Sequence, residues 1–386
     1  MGETIIEKII RHNTGKAVKP GDIVTVNVDR VMIHDIFIPF VADKFEEMGF
    51  QKLWDPDKVV LIYDHLVPAS QQDDTRHFHV GDAFAAKYGM KNVHRSDGIC
   101  HQLMTEAGYV KPGNIVFGTD SHTTTYGCVG AFSSGIGYTE MASILGTGTM
   151  WIKVPETIKV VIDGELPENV MSKDIILRLI GDLRADGATY RALEFSGSTI
   201  ENMSVASRMT MANMAIEAGA KCALFTPDEK TAAYCETELD EFQKSLVGDE
   251  DAVYMKTMTY KAEDFNDILR YNYVSFGMPG YSKEKEELYH WVYNELISKG
   301  EEIVPMAGYW EDDLWYQAIS DQRYYGWGQS DPDHTDYFNH LNASDASYIL
   351  VLKDSQIYAD EQAYFDSLER IYDTGIGFVA RKELYE

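Results

Sequence analysis

The stretch NIVFGTDSHTTTYGCVGAFSSGIG, residues 114–137, joins three different kinds of sequence. It begins with the apolar run of a buried β-strand, continues with the polar triplet Asp120, Ser121 and His122, and ends in small residues and glycines. Residues without side-chain bulk allow a ligand and the backbone to approach closely. The stretch therefore predicts a buried strand that delivers a polar triplet to a ligand pocket.

Apolar runs of this kind alternate with helical patterns along most of the chain. Strands are predicted for GDIVTVNVD, KVVLIYD, NIVFGTD and TIKVVIDG (residues 21–29, 58–64, 114–120 and 157–164). Helices are predicted for HVGDAFAAKYG, IGYTEMASILGTGTMW and SKDIILRLIGDLRADG (residues 79–89, 136–151 and 172–187). This alternation predicts α/β layers around a largely parallel sheet.

Three histidines stand near an acid or near the end of a predicted strand. His65 follows Asp64 after VVLIY, His122 follows Asp120, and His101 lies in GICHQ, a predicted loop between two strand–helix units. In open α/β sheets, ligands collect at the carboxyl ends of the strands. A single histidine is more often only a hydrogen-bonded polar group, but a carboxylate beside it favours proton transfer near neutral pH. Together the three predict one site.

Composition excludes several classes of protein. The 386 residues carry a formal net charge of −28, which disfavours binding to the phosphate backbone of nucleic acids. Four cysteines, Cys100, Cys128, Cys222 and Cys235, are too few for a disulfide scaffold. No window has the apolar length of a membrane span, and the N-terminal stretch lacks a secretory pattern. The sequence predicts a cytoplasmic protein.

The composition changes near residue 270. Fifteen of the 24 tyrosines and four of the six tryptophans lie in residues 271–386. This part still alternates, with a helix predicted over residues 282–299 and strands in EEIVPMAG, ASYILVLKD and GFVARKEL. We therefore expect two regions: residues 1–268, and a distinct aromatic-rich α/β segment, residues 269–386.

Six collinear blocks resemble the aconitase family, and within it the large subunits of the 3-isopropylmalate dehydratase and homoaconitase group. The blocks are DPDKVVLIYDHLVPA, GICHQ, GTDSHTTTYGCVGAFSSGIGYTEMA, KVPETIKV, DGATYRALEFSG and MTMANMAIEAGAK. The resemblance extends from the N-terminus to about residue 265. It implies three-layer α/β domains of aconitase type.

The resemblance also implies a hydro-lyase activity, the reversible dehydration of a hydroxy di- or tricarboxylic acid such as 3-isopropylmalate or homocitrate in amino-acid biosynthesis. In such enzymes an iron of a [4Fe-4S] cluster binds the substrate hydroxyl as a Lewis acid. His65, paired with Asp64, would protonate the departing hydroxyl. The other implied pairs are His101 with Asp120 and His122 with Glu217, and the implied contacts to substrate or cluster are Ser121 and Asn213.

The chain departs from the family pattern in ways that affect the cofactor and the substrate. The family's cluster cysteines lie in G-S-C-T-N-G-R and C-x-x-C motifs, and neither occurs here; the arginine-bearing N-R-N-F-x-G-R stretch is also absent. We therefore expect the isolated chain to hold no cluster, and its metal ligands are unassigned. HDIFIPF, residues 34–40, places the bulky Phe37 and Ile38 near the substrate, where the family has small residues.

The cysteines and two helix positions carry further expectations. Cys222 is expected on the helix of Glu217 but on another face, and Cys235 on an amphipathic surface helix. Asn213 and Glu217 are four residues apart, which predicts one helix face. By resemblance a separate small subunit supplies the catalytic base.

Two other interpretations remain open. The first is a non-catalytic or rearranged relative whose C-terminal region binds another ligand, for example a sugar stacked on the aromatic residues of YWEDDLWY (residues 309–316). The second is a different metal enzyme that uses SDPDHTDYFNH, residues 330–340, where carboxylates and imidazoles could bind a cation, although a polar loop explains that segment more simply.

Overall fold

The computed structural model describes residues 2–167, 170–265, 283–301, 303–305 and 335–385, and the chain forms two compact units, Met1–Asn266 and Asp267–Glu386. The strands of the first unit are β1 (Ile23–Asn27), β2 (Arg30–His34), β3 (Val59–Ile62), β4 (Asn92–His94), β5 (Ile115–Gly118), β6 (Phe132–Gly135), β7 (Thr149–Lys153), β8 (Thr157–Asp163), β9 (Ala192–Ser196), β10 (Cys222–Phe225) and β11 (Lys256–Lys261).

Its α-helices are α1 (Ile5–Thr14), α2 (Ile38–Glu47), α3 (Gln72–Tyr88), α4 (Cys100–Glu106), α5 (Tyr138–Thr147), α6 (Ser172–Leu183), α7 (Ser198–Asn202), α8 (Val205–Met214), α9 (Glu229–Tyr234) and α10 (Glu241–Lys244). Short 3-10 helices span Pro56–Lys58, Ser121–Val129, Ala215–Ala218 and Ala262–Phe265.

The first sheet has the strand order β4-β3-β2-β5-β6, and all of its neighbouring strands are parallel. Every residue of β3 and β5 is buried, as is typical of strands inside a parallel sheet. Phe45 of α2, Phe84 of α3 and Leu145 of α5 belong to the same hydrophobic core as these strands. The prediction of an α/β fold is confirmed.

A second parallel sheet, β10-β9-β8-β11, lies in the same unit. The 3-10 helix Ser121–Val129, which follows β5, approaches its strand β10 very closely. A Cβ atom at Gly127 would lie 1.5 Å from the carbonyl oxygen of Ala223, so only glycine fits there. This glycine of the stretch 114–137 therefore brings protein backbone, not ligand, close to protein backbone.

Two sequence predictions near β1 are wrong. β1 is not a strand of the buried parallel sheet: it pairs antiparallel with β7 in a two-stranded sheet, and only Val26 of its five residues is buried. The helix predicted over residues 136–151 ends at Thr147, because Gly148 adopts a left-handed conformation with φ of 70° that closes the helix. The residues after it form β7.

Two other element boundaries differ from the predictions because side chains cap the helices. α3 begins at Gln72, before the predicted start, and the Asp74 carboxylate accepts N–H groups from Ser70 and Gln71 at that end. GICHQ is not a loop: His101 is the second residue of α4, whose first N–H, on Cys100, donates to Asp64 Oδ2 at 2.6 Å. An acid at a helix N-terminus satisfies a donor that the helix itself leaves free.

The second unit has a sheet in the order β12-β13-β15-β14, formed by β12 (Ile303–Pro305), β13 (Tyr348–Leu352), β14 (Arg370–Asp373) and β15 (Gly377–Arg381). Its α-helices are α11 (Lys283–Glu295), α12 (Thr335–Ala343), α13 (Gln356–Asp360) and α14 (Gln362–Ser367), with a 3-10 helix at Ile297–Lys299.

The apolar face predicted for the helix over residues 282–299 packs as expected. Leu288, Val292 and Leu296 are buried, and the Trp291 ring stacks on Tyr372 with 4.6 Å between centroids. YWEDDLWY and residues 331–334 lie outside the described residues, as do the side chains of Asp336 and His340. Within the described ranges, no α-helix has both the length and the apolar character that crossing a membrane requires.

Candidate active site

Polar residues follow β3 and β5, the two strands on either side of β2. Asp64 and His65 come shortly after β3, while Asp120, Ser121 and His122 come shortly after β5. Because these strands are parallel, their C-terminal ends meet at one edge of the sheet. The two polar segments are therefore close in space although 55 residues separate His65 from Asp120.

The Asp120 carboxylate is the centre of the cluster. Its Oδ1 accepts the backbone N–H of His122 at 2.7 Å and lies 2.8 Å from Nε2 of His101. Its Oδ2 lies 3.3 Å from Nε2 of His65. Burial alone would raise the pKa of this carboxyl, but the hydrogen bonds from these histidines hold it well below its usual range. Asp120 is thus an anion that binds three histidine residues.

His65 lies between two carboxylates. Nε2 faces Asp120, and Nδ1 lies 2.7 Å from Asp64 Oδ1. Hydrogen bonds to Asp120 and then to Asp64 raise the pKa of His65 to about 10, against the opposing effect of burial. The ring is therefore protonated at neutral pH, and its side chain is still 29% exposed. A charged acid that is held in place but reachable can donate a proton to a ligand.

His122 joins the cluster to a different part of the chain. Its Nε2 lies 3.1 Å from Glu217 Oε1, and its Nδ1 lies 3.2 Å from the Ser121 hydroxyl. Hydrogen bonding to Asp120 and to Glu217 raises the pKa of His122, with burial acting in the opposite direction. The structure thus brings six of the proposed residues together with Ser121, as one connected network.

Asn213 differs from the expectation in two ways. It lies in α8, which ends at Met214, and Glu217 lies in the following 3-10 helix, so the two do not share one α-helical face. The tighter turn of the 3-10 helix changes the direction of each side chain after residue 214. The Asn213 amide donates to Thr125 Oγ1 at 2.9 Å, within the protein.

His34 and Asp35 belong to this network, and the sequence reasoning missed them. The His34 ring stacks on His65 with 4.1 Å between centroids. Burial, and then the positive charge of His65, lower the pKa of His34 to about 4, so its ring is neutral at pH 7. Asp35 is fully buried and accepts the backbone N–H groups of His65 and Leu66. The available signal was an adjacent histidine and acid at the end of β2, in the reverse order to Asp64 and His65 after β3.

An open pocket of about 690 Å³ lies beside the network. His65, Asp120 and Ser121 line it, whereas Asp64, His101 and His122 adjoin it through their hydrogen bonds. Its other lining residues are His34, Ile36, Phe37, Thr119, Ser134, Gly135, Ile136, Gly137, Thr189, Tyr190, Ile216, Gly219, Ala220 and Lys221.

The bulky residues of HDIFIPF have different positions. Phe37 lines the pocket as expected, but Ile38 is fully buried in α2 and does not. Ile38 begins the helix, so its side chain packs into the core of the first sheet. Of the two bulky residues, only Phe37 can therefore contact a ligand in the pocket.

Two groups of described residues have metal-ligand spacing: His34 with Asp35 and His65, and Asp64 with His65 and Cys100. The carboxylates of both groups already accept hydrogen bonds from the protein, from His65 and Leu66 N–H on Asp35 and from Cys100 N–H on Asp64. Hydrogen bonding within the protein therefore accounts for both groups. Neither contains more than one cysteine.

The four cysteines are all buried. Cys222 begins β10 and is not on the helix that was expected to carry Glu217, and Cys235 follows α9 as a buried thiol rather than lying on a surface helix. Burial raises the pKa of each thiol, that of Cys222 to about 12. Raised pKa values disfavour the thiolate, which is the form that binds iron.

The fold and the pocket define an α/β protein with histidine–carboxylate pairs suited to acid–base chemistry. Residues 6–275 match the aconitase family, which is described as aconitate hydratase, and the chain belongs to this family. The resemblance seen in the sequence is confirmed. Membership of the family implies a [4Fe-4S] cluster as the general cofactor.

Curated relatives support the same kinship. The chain is 42% identical over 265 residues to 3-isopropylmalate dehydratase large subunit 1 of Methanopyrus kandleri, an alignment that covers 68% of this chain and 63% of the relative. It is 44% identical over 270 residues to the probable 3-isopropylmalate dehydratase large subunit of Methanosarcina mazei, with 68% and 64% covered. The large subunit from Halothermothrix orenii is 44% identical over 267 residues, also with 68% and 64% covered. The chain thus matches less than two thirds of the length of these relatives.

Proposed function

We propose that this chain acts as the large-subunit component of a hydro-lyase, which reversibly removes water from a hydroxy di- or tricarboxylic acid. The observation that carries the proposal is the position of His65, held between the Asp64 and Asp120 carboxylates at the wall of an open pocket. The family and the names of the relatives support the same reaction class. 3-Isopropylmalate is the substrate that those names favour, and homocitrate is an alternative of the same chemical class.

In this proposal His65 protonates the departing hydroxyl group. Its contact to Asp64 is short, 2.7 Å, and that to Asp120 is longer, 3.3 Å. The Nε2 proton is therefore the one released to a ligand, while Asp64 keeps the ring oriented through Nδ1. Dehydration also requires a base that removes a proton from the neighbouring carbon. We assign that base to a separate small subunit, because the relatives are named as large subunits.

The remaining residues have supporting roles in the proposal. Asp120 and His101 fix the position of His65 from the opposite side to Asp64, and the His122–Glu217 pair extends the network beyond Asp120. Ser121 lines the pocket and is proposed to contact substrate. Asn213 is proposed to act indirectly, because its amide binds Thr125. Residues 1–268 would be the catalytic region, and residues 269–386 a separate one.

The described cysteines do not fit a cluster site. A [4Fe-4S] cluster is held by cysteine thiolates, but the thiols here are buried with raised pKa values, and no metal-spaced group of described residues contains two of them. We derive no catalytic step through a cluster. We propose that this chain alone contains substoichiometric iron, which metal and sulfide analysis of anaerobically purified protein would test.

The test of the function compares His65→Ala with His94→Ala. His94 is a matched control, because it also pairs with a carboxylate, Asp97, at 2.7 Å, but does not line the pocket. Interconversion of 3-isopropylmalate, and separately of homocitrate, is measured with and without a small subunit from the same organism. Loss of a general acid typically lowers kcat by about 10²–10⁴, with a much smaller change in KM.

Three results would contradict parts of this proposal. An effect of His65→Ala confined to KM would remove the acid role of His65. An equal loss of kcat in His94→Ala would show that the effect is not specific to the pocket. No turnover of either substrate by the unmodified chain with its small subunit would favour the non-catalytic interpretation.

A further inference from the structure

Lys221 lines the pocket, as do Thr189, Tyr190 and Gly219, and these four residues form one of its walls. It is half-buried and stands directly before β10, and its ammonium lies over the Tyr190 ring, 5.6 Å from the centroid. Burial lowers its pKa, because the charged form is poorly solvated there. Removing a charged ammonium group from water costs free energy, which an interaction with an opposite charge can offset.

The described residues supply no such compensation by an ion pair. The titratable neighbours of Lys221 are Cys222, a neutral thiol because its pKa is raised, and Glu140. Glu140 is exposed and forms no salt bridge with Lys221 in the described part of the chain. His65 across the pocket differs, because Asp64 and Asp120 already balance its charge. No described acidic side chain therefore pairs with the Lys221 ammonium group, and its charge is available to bind an anionic ligand.

The backbone holds this wall in place. Tyr190 N–H donates to Gly219 O at 3.1 Å, and Lys221 N–H donates to Arg191 O at 2.8 Å. A Cβ atom at Gly219 would lie 2.8 Å from Thr189 Oγ1, which shows how closely the two segments meet. Tyr190 has a φ of 58°, a left-handed conformation that is uncommon for residues other than glycine. Strained residues of this kind are concentrated at ligand sites.

We infer that Lys221 binds a carboxylate of the hydroxy acid, with the Tyr190 ring beside it, and so positions the ligand hydroxyl toward His65. This inference rests on the proposed function for the identity of the ligand. The charge of the chain supports it, because a protein with a net charge of −28 repels an anion unless a local cation attracts it. The site would therefore select ligands with a free carboxylate over neutral analogues.

The test measures binding, not turnover, by calorimetry on the full chain. The probes are 3-isopropylmalate and its uncharged dimethyl ester, and the variants are Lys221→Met and Lys221→Arg. Lys159→Met is the matched control, because Lys159 is also half-buried over a tyrosine ring, 4.9 Å from the centroid of Tyr254, and does not line the pocket.

The unmodified chain should bind the acid more tightly than the ester. Loss of one hydrogen bond to a charged group should weaken binding of the acid by about 10- to 100-fold in Lys221→Met, whereas Lys221→Arg should retain most of the affinity and Lys159→Met should match the unmodified chain. Three results would overturn the inference. They are equal affinity of the unmodified chain for acid and ester, no binding of the acid, and unchanged affinity for the acid in a folded Lys221→Met variant. If binding of the acid depends on Lys221 but no turnover is seen, the inference about Lys221 holds and the proposed reaction is wrong. If turnover is lost on substituting His65 but not on substituting Lys221, the proposed reaction holds and the inference about Lys221 is wrong.

Discussion

Replacing Asp120 by asparagine tests the centre of the histidine network. The carboxylate accepts the His122 N–H and lies against Nε2 of both His101 and His65. Asparagine has nearly the same shape, but it has one acceptor oxygen and one donor NH₂ group. The NH₂ group must then face at least one histidine N–H, where the wild-type protein has an acceptor.

The size of the effect follows from the pKa of His65, which Asp120 and Asp64 together raise to about 10. A hydrogen bond to a charged group contributes about 1.5–3 kcal/mol, and 1.36 kcal/mol corresponds to one pH unit. Asp120→Asn should therefore lower the pKa of His65 by about 1 to 2 pH units and reduce the free energy of unfolding at pH 7 by about 1.5–3 kcal/mol. Asp64 keeps the pKa above that of a free histidine.

The pH dependence has a defined direction. A histidine whose pKa is raised on folding contributes its full stability below the pKa of the unfolded state, about 6.5, and this contribution is lost as the pH rises through about 10. The pKa of Asp120 is lowered on folding, so its contribution is present above about pH 4 and is lost as the pH falls below that. The difference in stability between the two proteins should therefore be largest between about pH 4 and pH 6.5 and decrease above and below this range.

The measurements are an NMR titration of the His65 ring and urea unfolding at pH values from 4 to 10. Asp182→Asn serves as the control, because Asp182 also accepts hydrogen bonds, from Arg178 and from the Tyr260 hydroxyl, but lies on the surface away from the pocket. It should leave the pKa of His65 unchanged. A wild-type pKa near 6.5, or the same pKa in Asp120→Asn as in the wild type, would refute the network as described.

Three further predictions concern the neighbourhood of this network. Glu217→Gln should lower the pKa of His122, measured by NMR titration, and an unchanged pKa would contradict the pairing of these residues. Because the Glu217 side chain is 51% exposed, the substitution should change the free energy of unfolding by less than about 0.5 kcal/mol. Gly127→Ala should reduce the unfolding free energy by at least about 3 kcal/mol, because its Cβ would overlap the Ala223 carbonyl, whereas the control Gly375→Ala, with no atom within 4 Å of the added Cβ, should have little effect. The four cysteines should react slowly with Ellman's reagent at pH 8 and completely after denaturation, because burial raises their pKa values; rapid reaction of several thiols in the native chain would argue against their burial.

Much of the arrangement around β3 and β5 was predictable from the sequence. Short apolar runs followed by Asp64 and His65, or by Asp120 and His122, are local patterns, and the rule that parallel strands end at a common edge places them together. The family was predictable for a similar reason, because it rests on collinear blocks of sequence. The roles of the site residues remain predictions. The errors lay where the local pattern was ambiguous. At residues 148–151 the apolar residues alone predict a continued helix, but a left-handed glycine, Gly148, ends it.

The sequence by itself determined the α/β class, the family and the residues at the strand ends, because each depends on neighbours along the chain. Only the tertiary structure decided what faces them. His34 stacks on His65, and Lys221 enters the same pocket from the wall that precedes β10, although 156 positions separate it from His65. The first contact arises because β2 and β3 are neighbours in one sheet. The second arises because a separate sheet packs nearby, with Gly127 allowing the close approach of the segment after β5 to β10. No periodicity or short motif records that approach, because it depends on the distance between backbones that are remote in sequence.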